Sequence, residues 1–185
     1  ESWLEWLSGR EAIVKQRESR FASEEQWGFR HDLVRQAAYS TLTEEDRQTG
    51  HRRAAEWLES VGENDAVALA QHWERGGADA RAIPYWRRAA EQALDGNMYQ
   101  AAIDYAEHGV RAGAKGEELG ALQFLQAHAS ALASRMTQAE RYALEALENL
   151  SPDGAMWYEA FQVIVTARGR QLGDLEPVRE PAVQP

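Results

Sequence analysis

The side chains best suited to binding a metal or moving a proton are five histidines, because the chain has no cysteine. They are His31, His51, His72, His108 and His128. No two of them have the H-x-x-x-H spacing that places two ligands on one face of a helix. We therefore expect no metal site, and we expect His31 and His51 to form caps or hydrogen bonds.

Other motifs that could carry catalysis are also incomplete. Gly113–Gly116 resembles a phosphate-binding loop, but no Ser or Thr follows its lysine and no strand precedes it. The acid pairs Glu44–Glu45 and Glu117–Glu118 suit the first turns of helices better than an acid/base dyad. Neither a G-x-S-x-G motif nor a kinase motif occurs. We predict a non-catalytic chain without a cofactor, and an enzyme in its own right is a minor hypothesis.

Composition limits the partners. Asp and Glu number 30 against 20 Lys and Arg, so the net charge is −10 and nucleic acid or anionic lipid would be repelled. No apolar run reaches the roughly 20 residues that a membrane span needs. Without cysteine, no disulfide framework is present. We expect a cytoplasmic location and, from the initial Glu1 and the Pro-rich end, a piece of a longer protein.

The first 45 residues combine a helix, two strands and a second helix. Ser2 suits the N-cap of a helix over residues 2–9. Apolar runs at Ile13–Val14 with Phe21, and at Gln26–Phe29, predict two strands joined by a turn. From His31 the apolar spacing becomes helical. This order is that of the latter part of a winged-helix domain, which would imply DNA binding. Nine acids against six bases in this segment favour a structural module instead.

The remainder predicts helices in pairs. The helices at residues 46–60 and 66–75 form one predicted pair, and residues 79–152 contain two more. A further helix, Met156–Arg170, precedes Leu172–Leu175, which we interpret as a turn. We therefore predict three segments: a winged-helix-like segment (1–45), helical repeats (46–176), and a Pro-rich end (177–185) that is disordered or begins a truncated helix.

One segment resembles a known family. FRHDLVRQAAYSTLTEEDRQTGHRRAAEWLE, residues 29–59, is similar to the region after the nucleotide-binding core of STAND-type regulatory ATPases, especially bacterial proteins that also carry a Ser/Thr kinase domain. The matching positions are Phe29, His31, Leu33, Arg35, Ala38, Tyr39, Leu42, Arg47, His51, Ala55 and Leu58. The resemblance implies an arm that senses a partner and releases an inhibited ATPase core. The ATPase and kinase chemistry would lie on other sequence.

The helix pairs resemble tetratricopeptide repeats. The pattern expects Trp and small residues on the first helix and Ala on the second. Trp86, Ala90, Ala102 and Ala106 occupy such positions, and Ala102 recurs as Ala139 after 37 residues. The resemblance implies a mainly α fold, a right-handed superhelix of α-α hairpins, preceded by a partial winged helix with a β-hairpin.

The predicted function is therefore a protein-interaction and regulatory module of a larger signalling ATPase or kinase. Its partner is expected to be a peptide, a protein or another domain of the same polypeptide, and not nucleic acid or membrane. The alternatives are a self-associating scaffold and the regulatory arm of a transcription regulator. We place partner binding on polar and aromatic residues beside the apolar rows: Tyr85, Arg88, Tyr99, Tyr105 and Gln123.

The alanine pattern makes a stability prediction. If Ala102 lies where two helices cross, Ala102→Leu overpacks the crossing and lowers the free energy of unfolding by roughly 1–3 kcal/mol. Thermal denaturation followed by circular dichroism measures the change. A variant with an unchanged midpoint would show that Ala102 is not at a crossing.

Overall fold

The structure, a computed structural model, describes residues 2–21 and 24–175, with side chains described up to residue 170. The described residues form nine helices and one antiparallel pair of strands, which confirms the mainly α class and the predicted β-hairpin. The elements are α1 (Trp3–Gly9), β1 (Ile13–Lys15), β2 (Trp27–Phe29), α2 (Asp32–Ser40), α3 (Glu44–Ser60), α4 (Ala66–Arg75), α5 (Asp79–Asp95), α6 (Tyr99–Arg111), α7 (Gly116–Leu132), α8 (Met136–Asn149) and α9 (Ala155–Leu175).

The chain divides into two compact units. Within the described residues, the first contains residues 2–21, 24–63 and 75–77, and the second contains residues 64–74 and 78–175. The predicted boundary between residues 45 and 46 falls inside α3. The structure differs there because α3 is one continuous 17-residue helix, capped by the Thr43 hydroxyl, which accepts a hydrogen bond from the Asp46 N–H at 3.1 Å.

The first unit has a small core. Ser2 and Glu5 form a reciprocal capping box at the start of α1, as Ser2 predicted. The strands pair with Ile13 opposite Phe29, and Ile13 is the buried residue of β1. Phe21, which we expected in a strand, lies in the loop between the strands and contacts the Trp57 ring at 4.8 Å.

The second unit is built from helices that pack in sequence. Helices α5 and α6 pack against each other, as do α7 and α8, and α7 also contacts α5, α6 and α9. The turn inside each pair is the same: Asn97 and Ser134 have φ of 58° and 60°. In both turns the next N–H donates to a carbonyl five residues earlier, Met98 to Ala93 and Arg135 to Ser130, each at 2.8 Å.

Fully buried alanines mark the places where these helices meet. The residues with 0% exposure include Ala90 of α5, Ala106 of α6, Ala127 of α7 and Ala143 of α8. Ala102 is likewise 0% exposed and lies in a cluster with Ala93 and Ala129, where the sequence placed a crossing. Small side chains allow the helix backbones to approach closely, and Leu and Ile fill the space between pairs.

One sequence-based interpretation in this unit is wrong, and Pro84 occupies an unfavourable position. Helix α9 continues through Leu172–Leu175, so these residues are not a turn, because a glycine inside a helix costs only about 1 kcal/mol. Pro84 is an interior residue of α5, which begins at Asp79, so its missing N–H removes one helical hydrogen bond. The predicted Pro-rich segment 177–185 lies outside the described residues.

Gly109 provides a test of this close packing. A Cβ added there would lie 2.8 Å from Leu122 Cδ1, and Leu122 is fully buried. We expect Gly109→Ala to destabilise the protein, because about 1–3 kcal/mol of overpacking exceeds the gain in helix propensity. The matched control is Gly169→Ala in α9, where no atom lies within 4 Å of the added Cβ and about 0.5–1 kcal/mol of stabilisation is expected. Denaturant unfolding of both variants is the measurement. Equal stabilisation by both alanines would contradict the close contact.

Candidate functional site

A groove in the second unit lies between α7 and α9. Its volume is about 510 Å³. An apolar floor is formed by Phe124, Ala131 and Leu132 of α7, Met136 of α8 and Val163 of α9. A cavity of this size with apolar walls is in the range that binds small molecules or the side chains of a peptide. We call it the α7–α9 groove.

The sequence of α7 explains why it forms one wall. Apolar and small residues surround this helix on all sides, and residues 120–127 are all buried. Phe124 is 7% exposed in the groove floor, and the half-buried His128 ring lies 5.7 Å from it. Leu132, at the end of α7, is 48% exposed. The wall is therefore buried at Phe124 and accessible at Leu132.

Five polar side chains around the groove bond no other residue in the part of the chain that the structure describes. They are His128, Glu159, Gln162, Thr166 and Arg170. No hydrogen bond or ion pair joins any of these side chains to another described residue. Within the described residues, their donors and acceptors are therefore not used by the protein itself.

The neighbouring edge between α5 and α7 is different. Arg87 of α5 bonds Glu91 at 2.9 Å and Glu118 of α7 at 3.1 Å. The hydrogen bond to Glu91 is the largest cause that raises the pKa of Arg87, so this guanidinium stays charged. Arg87 and Glu91 precede Phe124 and His128 by 37 residues each. The α5 residues Arg87 and Glu91 thus form ion pairs within the protein, whereas the residues 37 positions later, Phe124 and His128 of α7, line the groove.

The five residues predicted to bind a partner are not among the residues that line this groove. Tyr85 is half-buried and Arg88 is exposed on α5, where Arg88 Nη2 donates to Asn64 Oδ1 at 3.3 Å. The Tyr99 hydroxyl donates to Asn97 Oδ1 at 2.9 Å. Tyr105 packs against the clusters between α5, α6 and α7, where its ring stacks on Trp86 at 5.8 Å. Partner binding at these four residues stays a prediction.

Gln123 serves a different purpose from the one predicted. It is 9% exposed and bonds α8: Asn149 Nδ2 donates to its Oε1 at 3.1 Å, and its Nε2 donates to Glu145 Oε2 at 3.5 Å. These bonds fix α7 against α8. The groove residues one and five positions later were missed. The only feature of the sequence that could have indicated these groove residues was their spacing, because Phe124, His128 and Ala131 share one face of α7.

The histidines are not assembled into a metal site. Among the described residues, no three His, Asp or Glu side chains converge as metal ligands. His108 stacks on the buried Trp86 with centroids 4.4 Å apart, and its Nδ1 lies 3.5 Å from Glu74 Oε1 without hydrogen-bond geometry. His51 Nε2 lies 3.0 Å from the Tyr39 hydroxyl, so the predicted hydrogen-bonding role is confirmed there. His31 is the N-cap residue of α2, although its side chain makes no capping bond.

The loop and the acid pairs that resemble catalytic motifs lie in a helix connection and at the starts of helices. Gly113, with φ of 91°, lies in the connection between α6 and α7, and Gly116, with φ of 54°, is the first residue of α7. Backbone angles with positive φ favour glycine, so the conformation of the chain is enough to explain the two glycines of this motif. Glu44–Glu45 and Glu117–Glu118 occupy the first turns of α3 and α7, where acids stabilise the helix dipole.

The first unit displays a second candidate surface. Helices α1 and α2 bury no residue. Large apolar side chains that are at least 38% exposed in this unit are Trp3, Leu4, Trp6, Val14, Phe29, Leu33, Val34, Tyr39, Leu42 and Trp57. Apolar surface of this extent is typical of a region that contacts another protein or domain.

Comparison with known proteins adds little. No protein-family model and no solved structure matches the chain. A curated protein of Rhizobium meliloti (strain 1021), described as uncharacterized, is 30% identical over 89 residues. The match covers 44% of this chain and 8% of that protein, so the chain corresponds to a small part of the relative's length. None of the helices in the described residues has the length and apolar character that crossing a membrane requires.

The environment of His51 predicts a pH dependence. Burial is the largest cause that lowers the pKa of His51 below the ordinary 6.5. The positive charge of Arg75 lowers this pKa further, and the negative charge of Glu44 raises it by a smaller amount. The folded state therefore favours neutral His51, while the unfolded state takes up a proton near pH 6.5. Its contribution to stability is complete above that pH and is lost as the pH falls towards the folded pKa.

An NMR titration of the His51 ring should give a midpoint below 6.5, and Arg75→Gln should move it upwards. A midpoint at or above 6.5 would contradict this environment.

Proposed function

We propose that this chain is a non-catalytic protein-interaction module that binds a peptide or protein segment in the α7–α9 groove. The observation that carries the proposal is the groove itself, where an apolar floor is bordered by five polar side chains that make no hydrogen bond or ion pair with another described residue. The apolar side chains of an extended peptide would cover the floor of the groove, and its backbone donors and acceptors would bond the polar side chains at the border.

A tetratricopeptide-like arrangement, with hairpins stacked as a right-handed superhelix, is part of the proposal. Two observations support it. The α5–α6 and α7–α8 pairs have equivalent turns at a separation of 37 residues, Asn97 and Ser134. Alternate helices also meet, since α7 contacts both α5 and α9. Stacked helix pairs offer the side chains of their first helices as a continuous binding surface.

The first unit would connect this module to another domain. The order α1, β1, β2, α2 supports a winged-helix-like segment, as the resemblance of residues 29–59 implies. The exposed apolar surface on α1 and α2 supports contact with a further domain rather than with solvent. With nine acids and six bases, residues 1–45 suit a protein contact better than DNA.

The resemblance further suggests a regulatory role. We propose a cytoplasmic signalling protein in which ligand binding to the helices shifts an inhibited ATPase or kinase towards its active state. For such coupling, the ligand must bind the two states with different affinities. A self-associating scaffold is the second candidate, favoured by the exposed Tyr158, Phe161 and Val165 of α9.

A matched pair of leucines tests the groove. Leu132 lines it and is 48% exposed, whereas Leu144 of α8 is 42% exposed and is not among the lining residues. Peptides selected by phage display on the wild-type protein should bind Leu132→Asp about tenfold or more weakly, because a carboxylate in an apolar floor costs about 1–3 kcal/mol of binding.

Binding to Leu144→Asp should be unchanged, and isothermal titration calorimetry measures both. The absence of any selected peptide, or equal affinity for both variants, would contradict groove binding.

A further inference from the structure

A cavity in the first unit has a different chemical character from the α7–α9 groove. Its volume is about 300 Å³. The described residues that line it come from the loop between β1 and β2, from the first residue of β2 and from α3. They include three aromatic residues, Phe21, Trp27 and Trp57, and two acids, Glu24 and Glu25. We call it the β1–β2 cavity.

The aromatic side chains give this cavity walls of π-electron density. The rings of Phe21 and Trp57 lie 4.8 Å apart between centroids and are nearly perpendicular, with an interplanar angle of 81°. Trp57 is 40% exposed, so its ring is not enclosed by the small core of this unit. The face of an aromatic ring is negative and attracts cations, most strongly in tryptophan. The walls are therefore of the kind that holds a positively charged group.

Two cations of the protein already lie near these rings. Lys15 Nζ is 5.9 Å from the centroid of the Trp27 ring, and Arg20 Cζ is 5.6 Å from the centroid of the Phe21 ring. Both distances are close to the outer limit of about 6 Å for an attractive contact between a cation and a ring. Positive charge is therefore favoured at the rings, although neither cation makes a close contact with them.

The acids at the cavity leave one carboxylate without a counter-charge among the described residues. Lys15 pairs with Glu25, and its hydrogen bond is the largest cause that lowers the pKa of Glu25. Arg20 pairs with Glu63 at 2.7 Å. Glu24 makes no side-chain hydrogen bond or ion pair with another described residue. The negative charge of Glu24 therefore remains unbalanced at the cavity.

The neutral acceptors beside the cavity are already bonded. Ser19 Oγ accepts a hydrogen bond from the Phe21 N–H at 3.2 Å, and Gln26 Oε1 accepts one from the Arg20 N–H at 3.1 Å. A lysine ammonium carries three N–H donors, each of which needs an acceptor once water is removed. A quaternary ammonium has no N–H group and is held by ring faces and by a nearby carboxylate. The bonding pattern therefore favours a cation whose nitrogen is fully alkylated.

We propose that the β1–β2 cavity binds a quaternary ammonium group against Phe21, Trp27 and Trp57, with Glu24 as its counter-charge. Two sources carry this chemistry: a free choline-like molecule and the trimethylated lysine side chain of another protein. All the residues of this site belong to the first unit. The proposal therefore goes beyond peptide binding in the α7–α9 groove and does not depend on it.

Choline and its uncharged analogue, in which carbon replaces the nitrogen, test the need for charge. The two molecules have the same shape, and only choline is a cation. In NMR titrations of the full chain, the tryptophan indole N–H signals should shift saturably with choline. The analogue should bind about fivefold or more weakly, because it lacks the charge that the rings and Glu24 attract. The absence of saturable shifts, or equal affinity for both molecules, would overturn the proposal.

Variants of the protein locate the site. Glu24→Gln replaces an exposed side chain and should weaken choline about threefold or more, while binding of the uncharged analogue stays the same. Trp57→Leu should weaken choline about tenfold or more. The matched control is Trp6→Leu in α1, because Trp6 is 42% exposed and does not line the cavity. Circular dichroism verifies the folding of all three.

Trp6→Leu should leave choline binding unchanged. Equal weakening by the two leucine variants would place the binding elsewhere and overturn the proposal. Unchanged choline binding in Glu24→Gln would also overturn it, and this result does not require that Trp57→Leu folds.

A short peptide with trimethyllysine, compared with the same peptide carrying unmodified lysine, distinguishes the two sources. Tighter binding of the trimethyllysine peptide than of choline would support a modified protein as the partner, and the reverse order would support a free small molecule. Equal binding of the methylated and unmodified peptides would contradict the requirement for a quaternary ammonium.

Discussion

The close approach of helix backbones at fully buried small residues is the constraint on which the second unit depends. Ala90, Ala106, Ala127 and Ala143 have no exposed surface, and larger residues such as Leu125 and Ile164 fill the space between pairs. Close-packed interiors tolerate little change in volume, so these positions also hold each helix in a fixed rotation about its axis. That rotation decides which side chains enter the core and which reach the surface.

Polar groups are handled in two contrasting ways on this scaffold. Gln123 bonds Asn149 inside the α7–α8 pair, and Arg87 bonds Glu91 and Glu118 at the α5–α7 edge, so these polar groups are satisfied internally. Around the α7–α9 groove the polar side chains bond no described residue. A buried polar group without a partner is costly, whereas one at an open groove is solvated until a ligand replaces the water. The second arrangement is suited to binding.

Prediction from sequence succeeded where the signal was local. Ser2 was recognised as a cap because its side chain acts within three residues, and α4 was placed at its observed bounds. Failures came where two local signals competed or where contacts were distant. Leu172–Leu175 was interpreted as a turn, yet α9 continues through Gly173 to Leu175, because a glycine inside a helix costs only about 1 kcal/mol. Gln123 was read as a surface residue because its polarity was visible and its partners on α8 were not.

The amino-acid sequence by itself determined the helical class, the small-residue rows, the acidic charge and the absence of cysteine chemistry. These properties follow from composition and from spacing along a single element. The tertiary structure decided which rows are covered and which are open, because burial depends on neighbouring helices. Thr166 and Gly169 of α9 are small, like Ala127 and Ser130 of α7, yet only the latter are buried. The α7–α9 groove is a difference of this kind, and it exists only once the helices are packed.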